Sequence, residues 1–332
     1  MTKPGLLFFA NTTATFIKRD IALLERDYNV RVFISKQPKG AIPFLIETCK
    51  IILFTLANIH SAKLVLCWFA DYHSFWPALI AKHAGKSYYL IEGGYDTVYL
   101  PEFDYGVFTN RFRSFCVNYS VRNATLNLPV SNFLKSELQQ MYGAKINIEV
   151  LPTGYNSQLF FSSVKERTVL AIGAVETQKR FLIKGIDRVL AVASILPDIQ
   201  FKVIGVASIV SDKYIIPANV EMQAVANEKE IQLHLSKAAV YIQFSRREGL
   251  PNIVFEAMLS ECVVVGINHS GLGEAIGNNG YLLDTWDVDQ AKEVILEALK
   301  DQEIGVKSRN YVISNYSEKQ RSQSMIKLFE QN

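Results

Sequence analysis

Cysteine is scarce in this chain and poorly placed for chemistry. Cys49, Cys67, Cys116 and Cys262 are scattered over 332 positions without C-x-x-C spacing, which offers no metal site and suits reduced thiols in a cytoplasm. An excess of charge of one sign is also lacking. Net charge is only +3, with Lys and Arg spread along the chain, so nucleic acid is not an expected partner. The opening residues, Met1-Thr2-Lys3-Pro4-Gly5, lack the long apolar core and small-residue cleavage site of a secretory signal. Long unbroken apolar runs are missing too. The most apolar region, Ala41 to Ala70, is interrupted by Glu47, Lys50, His60 and Lys63, so no stretch reaches the roughly 18 to 20 apolar residues of a spanning helix. The part from Ile42 to Leu56 reads as a buried helix, with an interfacial helix as the alternative. The expected location is the cytoplasm, with peripheral contact at the inner face of a membrane left open.

What is present is enough apolar material for two cores, at 49% hydrophobic residues. Gly5 to Ala10 reads as a buried strand, Thr15 to Glu25 as a helix and Val30 to Ile34 as a second strand. Strand, helix, strand opens a parallel α/β domain, whose ligands gather at the carboxyl ends of the strands. Asn11 and Thr12 follow the first strand and are candidates for that ligand side. Leu64 to Phe69 and Tyr88 to Ile91 are further strands, ending at Asp71-Tyr72-His73-Ser74 and at Glu92-Gly93-Gly94-Tyr95-Asp96. Gly93 and Gly94 allow a sharp turn and close ligand approach, with the Asp96 carboxylate at the exit. A second α/β pattern starts with a strand ending in Gly, Thr168 to Gly173, followed by a loop from Glu176 to Ile183. It continues through the strands Phe201 to Gly205 and Val220 to Val225, a capping box at Asn227-Glu228-Lys229-Glu230 that starts a helix, and a strand from Val263 to Ile267.

The chain is organised around Ser245-Arg246-Arg247-Glu248-Gly249-Leu250-Pro251-Asn252-Ile253-Val254-Phe255-Glu256-Ala257-Met258. An apolar strand, Ala238 to Phe244, runs into it, and a helix begins near Pro251. The backbone N–H groups after Gly249, together with the helix dipole, favour a phosphate. The carboxylates of Glu248 and Glu256 do not hold phosphate but accept hydrogen bonds from sugar hydroxyls. Phosphate and hydroxyls together describe a nucleotide sugar.

This stretch resembles the E-x7-E signature of retaining glycosyltransferases of the GT-B type, family 4. Further matches are Lys184-Gly185-Ile186-Asp187, Leu128 to Leu134 with a Ser131 cap, Leu151-Pro152-Thr153-Gly154, and Ser270-Gly271-Leu272-Gly273-Glu274. The resemblance implies an α/β fold of two Rossmann-like parallel-sheet domains facing a central cleft. Residues 1–160 would form the acceptor-side domain and 161–310 the donor domain. A helix within 311–332, read from Tyr311 to Phe329, would cross back to the first. It implies a glycosyltransferase that moves a sugar from a nucleotide-sugar donor to a hydroxyl acceptor, glycan or lipid-linked, with retention of configuration.

On that resemblance Lys184, with Arg180 standing in for an Arg absent after Gly173, neutralises the donor diphosphate over Gly249, Leu250, Pro251 and Asn252. Glu256 takes the ribose, Glu248 orients the transferred sugar, Val225 lies beside the base and Gly205 at the donor-side strand end. Ser270 to Glu274 would be a loop closing on the phosphates. Typical members carry a His near position 96, so Asp96 is the first candidate for the sugar-side group and His73 the second. Asp287-Val288-Asp289 has D-x-D spacing but precedes a helical pattern, and Asp287 reads as its cap; no metal and no other cofactor is expected. Two rival readings stand beside this one: a nucleotide-sugar binder without turnover, and a glycosidase using Glu248 and Glu256 as its two carboxylates.

Overall fold

The computed structural model of the chain describes residues 3–36, 38–224 and 226–331. It contains two compact units, one formed by residues 1–154 and 318–332 and the other by residues 155–317. The division falls at Gly154/Tyr155, a few residues before the expected position 160.

The first unit is built from β1 (Gly5–Ala10), α1 (Thr15–Leu24), β2 (Asn29–Ile34), α2 (Ala41–Asn58), β3 (Ala62–Trp68), α3 (Tyr72–His83), β4 (Ser87–Glu92), α4 (Arg111–Asn123), β5 (Leu126–Pro129) and α5 (Asn132–Tyr142). Its five strands pair in parallel in the order β2-β1-β3-β4-β5. Leu7, Phe9, Val65, Cys67, Tyr88 and Leu90 of the strands pack against Ala78 and Ala81 of α3 and Val117 of α4. Such strands read as unbroken apolar runs because helices cover both faces of a parallel sheet. Ser131 caps α5 by accepting from Leu134 N at 3.2 Å.

The second unit runs β6 (Glu166–Val175), α6 (Gln178–Ile183), α7 (Ile186–Ser194), β7 (Gln200–Val206), α8 (Ser208–Ser211), β8 (Val220–Gln223), α9 (Glu228–Lys237), β9 (Ala238–Gln243), α10 (Asn252–Leu259), β10 (Val263–Ile267), α11 (Ser270–Ile276), β11 (Tyr281–Leu283), α12 (Val288–Ala298) and α13 (Gln302–Asn315). Its six strands are also parallel, in the order β11-β10-β9-β6-β7-β8. The core joins Val169, Val203, Val240 and Val263 of the sheet to Val189 and Val192 of α7 and Ile295 of α12. Asn227 and Glu230 form the expected capping box of α9, and Asp287 caps α12 through Gln290 N.

Four expectations need correction. The strands β6 and β7 continue past Gly173 and Gly205 to Val175 and Val206. The segment 176–183 is not an extended loop, since Thr177 caps the short helix α6. Ser270 begins a helix, α11, rather than a loop. The final helix is two helices. α13 ends at Asn315, and α14 (Glu318–Gln331) belongs to the first unit. The break comes where Tyr316 O accepts from Tyr155 N at 2.8 Å and the Tyr316 ring packs on Phe255 at 4.6 Å. No Pro or Gly marks that point in the sequence, but Ser317-Glu318-Lys319-Gln320 has the S-x-x-Q spacing of a helix start.

A buried ion pair fastens α14 to α1. Arg321 donates to both oxygens of Asp20 at 2.6 Å, and Trp68 Nε1 donates to the same carboxylate at 2.7 Å. The guanidinium also reaches the Leu151 and Pro152 carbonyls and lies 5.6 Å from the Trp68 ring centroid. Both charged side chains are 2% exposed. Removing one partner leaves the other charge buried and alone, which costs about 3–5 kcal/mol. Arg321→Met is therefore expected to lower the urea unfolding free energy of the first unit by about that amount. Asp20→Asn combined with Arg321→Met should cost less than the single change.

Candidate functional site

The carboxyl edge of the second sheet gathers the charged residues singled out in the sequence. In a doubly wound sheet the loops after two adjacent strands diverge to opposite faces where strand order reverses, and a crevice opens there. In this unit β6 pairs with both β7 and β9. Lys184 follows β6 through α6, and Glu248 follows β9. Their side chains meet, with Lys184 Nζ 2.8 Å from Glu248 Oε1.

A chain of buried polar groups fixes that carboxylate. Tyr241 OH donates to Gln243 Oε1 at 2.7 Å, and Gln243 Nε2 donates to Glu248 Oε1 at 2.6 Å and to Ser245 Oγ at 3.1 Å. Glu248 N donates to Ser270 Oγ at 3.2 Å, and Glu248 O accepts from Gly271 N at 3.0 Å. Glu248 is thus held at its backbone and at Oε1, while Oε2 takes none of these bonds. Lys184 uses one of its three N–H donors here.

Close backbone approach explains the Lys184-Gly185 step. Gly185 has φ +68°, and a Cβ there would stand 2.0 Å from Phe244 O at the end of β9. Arg246 completes the clamp by donating to Asp187 at 2.9 and 2.7 Å and to the Leu182 carbonyl. Gly205, with φ +88°, abuts the Gly173 carbonyl, where a Cβ would lie at 2.0 Å.

Other expected donor residues lie in the same unit. Leu250 and Pro251 are buried beneath the turn, and Gly249 lies above them, half-buried. Asn252 opens α10 with its side-chain oxygen held by Tyr155 OH at 2.7 Å. Glu256 is half-buried on α10. Arg180 is exposed and donates to Ala174 O at 3.2 Å. Val225 lies outside the described residues.

The first-unit candidates sit at the carboxyl edge of their own sheet. Asn11 and Thr12 follow β1 and are half-buried, with Thr12 Oγ1 accepting from Ala14 N at 3.3 Å. Asp96 is 1% exposed, and its oxygens accept from Ala70 N (3.1 Å), Gly93 N (3.3 Å) and Gly94 N (2.8 Å). It therefore ties the loop after β3 to the loop after β4. Gly93 packs over the Phe69 ring. His73 is fully buried against Trp68 O at 2.9 Å, and burial lowers its pKa. Asp96 and His73 serve as anchors for these loops.

Sequence reasoning gave no role to Gln243, Tyr241 and Arg246, and placed Ser270 in a phosphate loop rather than on the Glu248 backbone. Gln243 and Ser245 did carry a signal, as polar residues closing an otherwise apolar strand. The pairing of Lys184 with Glu248 had none, because 64 residues separate them.

The fold of both units is GT-B, two Rossmann-like parallel-sheet domains. Sucrose-phosphate synthase from Thermosynechococcus elongatus superposes with a TM-score of 0.81 at 14% identity, covering 98% of each chain. Anabaena HepE, solved with UDP and glucose, gives 0.75 at 16% identity over 99% of this chain and 100% of its own. TarM from S. aureus gives 0.70 at 16% identity over 85% of this chain and 59% of its own. Residues 161–319 match the model of the family described as glycosyl transferases group 1. No curated protein matches the chain.

Two expectations follow. Gln243→Leu leaves Oε1 of a largely buried carboxylate without its amide donor, and hydrogen bonds to charged groups contribute about 1.5–3 kcal/mol. Urea unfolding of the second unit should show a loss of that order. The second concerns Glu92, which is fully buried at the end of β4. Burial first, then the nearby Asp96 charge, raises its pKa well above the ordinary 4.5. Burial likewise raises Asp96 to about 6, against backbone N–H donors that lower it. A carboxyl with a raised folded pKa gives stability that is fully present below its unfolded pKa and is lost as pH rises toward the folded value. Glu92→Gln should therefore become more stable than the wild type as pH rises from 5 to 8, by up to about 1.4 kcal/mol per pH unit. Thermal midpoints across that range measure it.

Proposed function

We propose that the protein is a glycosyltransferase that moves a sugar from a nucleotide-sugar donor to a hydroxyl acceptor with retention of configuration. One observation carries the reading. A lysine and a hydrogen-bonded carboxylate meet at the carboxyl edge between β6 and β9, inside the stretch that matches the group 1 family. The two ends of a nucleotide sugar need that combination, a cation for the diphosphate and an acceptor for sugar hydroxyls.

In this reading the diphosphate lies over the N–H groups from Gly249 to Asn252. The two remaining Lys184 donors, with Arg180, stabilise the charge that grows as the bond from the anomeric carbon to phosphate breaks. Glu248 Oε2 accepts from a sugar hydroxyl and Glu256 from the ribose. The acceptor oxygen bonds to the anomeric carbon on the face that phosphate leaves, and its proton passes to the departing phosphate oxygen. Asn11 and Thr12 present acceptor-side polar groups, and Asp96 positions their neighbouring loops. The cationic side chains make a divalent ion unnecessary.

UDP sugars are the first donors to test, since HepE was solved with UDP and glucose. UDP at about 100 times its dissociation constant should stabilise the protein by roughly 2.7 kcal/mol, seen as a raised thermal midpoint. With UDP-glucose and a panel of hydroxyl acceptors, an α-linked product should form, and chelation by EDTA should not abolish it. Lys184→Met and Glu248→Gln should each lower kcat/KM about a hundredfold or more. If no nucleoside diphosphate shifts the midpoint, the donor site falls. If donor binds but nothing is transferred to any acceptor, the non-catalytic reading replaces this one.

A further inference from the structure

The first unit carries a long helix whose outward face has no partner of its own kind. α2 has 18 residues, of which Glu47, Ile51 and Thr55 are buried. The sequence reading expected a buried helix, and here it is corrected. Ile42, Leu45, Ile46, Leu53 and Leu56 are 50% to 74% exposed. Over Ala41–Ser61 the mean hydropathy is 1.7 and 28% is buried, so by length and composition this segment could cross a bilayer, against the expectation that no stretch is apolar enough. A helix that is apolar all round belongs in a core or against lipid, and the core takes only one side of this one.

The apolar surface extends beyond α2. Phe44 on α2 and Phe112 on α4 have ring centroids 5.8 Å apart, and Phe75 on α3 lies 5.6 Å from Phe115 on α4. Phe112 and Phe115 are 54% and 58% exposed. Contiguous exposed apolar surface of this kind marks an interaction site.

Charge decides between occupants. Between residues 28 and 70 the sole carboxylate is Glu47, against Arg31, Lys36, Lys39, Lys50 and Lys63. Glu47 is buried and accepts from Lys36 N at 2.8 Å. α4 adds Arg111 and Arg122 and no acid, while its Arg113 is already engaged with the buried Asp71 carboxylate. Apolar side chains with cations and no exposed carboxylate fit the interface of an anionic bilayer. A symmetric dimer through the same face would set the cations of one copy against those of the other with no exposed carboxylate of α2 or α4 to offset them, an unfavourable like-charge arrangement.

We propose that the outward face of α2, extended by Phe112 and Phe115 of α4, lies in the interface of an anionic lipid bilayer and holds the protein at the membrane surface. The helix does not cross the bilayer, because its Ile51 and Thr55 face remains packed in the first unit. The proposal stands on this surface alone and is independent of the transferase reading.

The test uses the full chain and sucrose-loaded vesicles of phosphatidylcholine, with and without phosphatidylglycerol, read by co-sedimentation. The wild type should sediment with the anionic vesicles, and raised salt should weaken binding. Leu45→Glu with Leu53→Glu should reduce binding about tenfold or more. Lys39→Glu with Lys50→Glu should abolish the preference for anionic lipid. All four positions are exposed, so thermal midpoints should stay near the wild-type value and show that each variant is folded. Absence of vesicle binding at low salt, or binding unchanged by Leu45→Glu with Leu53→Glu, overturns the proposal. So does a stable dimer in sedimentation velocity that those substitutions dissociate.

Discussion

The contact on which the second unit turns is the one between Lys184 and Glu248. It exists because parallel strands deliver their carboxyl ends to one edge, so residues far apart in sequence emerge side by side. A lysine beside a carboxylate in water contributes little. Here the carboxylate also accepts from Gln243, which is itself held by Tyr241, so its orientation is set before any ligand arrives. Preorganised groups of this kind need no rearrangement as charge develops, and that is where they gain catalytic value. The glycine at 185 matters for the same reason: it lets the Lys184 segment lie directly on the end of β9.

The first unit uses its polar residues differently. Asp20 and Arg321 spend their charge on each other to bind α14, and Asp96 spends its oxygens on three backbone N–H groups. Glu92 is buried beside Asp96, and burial first and then the Asp96 charge raise its pKa. These carboxyls shape the loops after β3 and β4. The unit's apolar surplus is spent partly on its core and partly on the outward face of α2.

Much of the fold was legible locally. The unbroken apolar runs identified the buried strands, and Asn227, Asp287 and Ser131 announced helix starts through hydrogen bonds that span only three residues. The Glu248-Gly249-Leu250-Pro251 turn and the Lys184-Gly185 step were legible as a pattern. The division of the final segment into α13 and α14 was missed, although Ser317-Glu318-Lys319-Gln320 has the spacing of a helix start, and Tyr316 at the break engages Tyr155 and Phe255. The exposure of α2 was not legible, because hydropathy records how apolar a face is and says nothing of what covers it.

The sequence by itself determined the strands, the helix caps, the glycine steps and the residue types available at each strand end. These depend on side-chain patterning and on backbone interactions within a few residues. Only the tertiary structure decided which of those residues meet. It set Lys184 on Glu248 and Arg246 on Asp187, turned Asp96 inward and left Leu45 and Leu53 outside. Those outcomes depend on the order of strands in the sheet and on which helix faces find a partner, and neither quantity is local to any stretch of the chain.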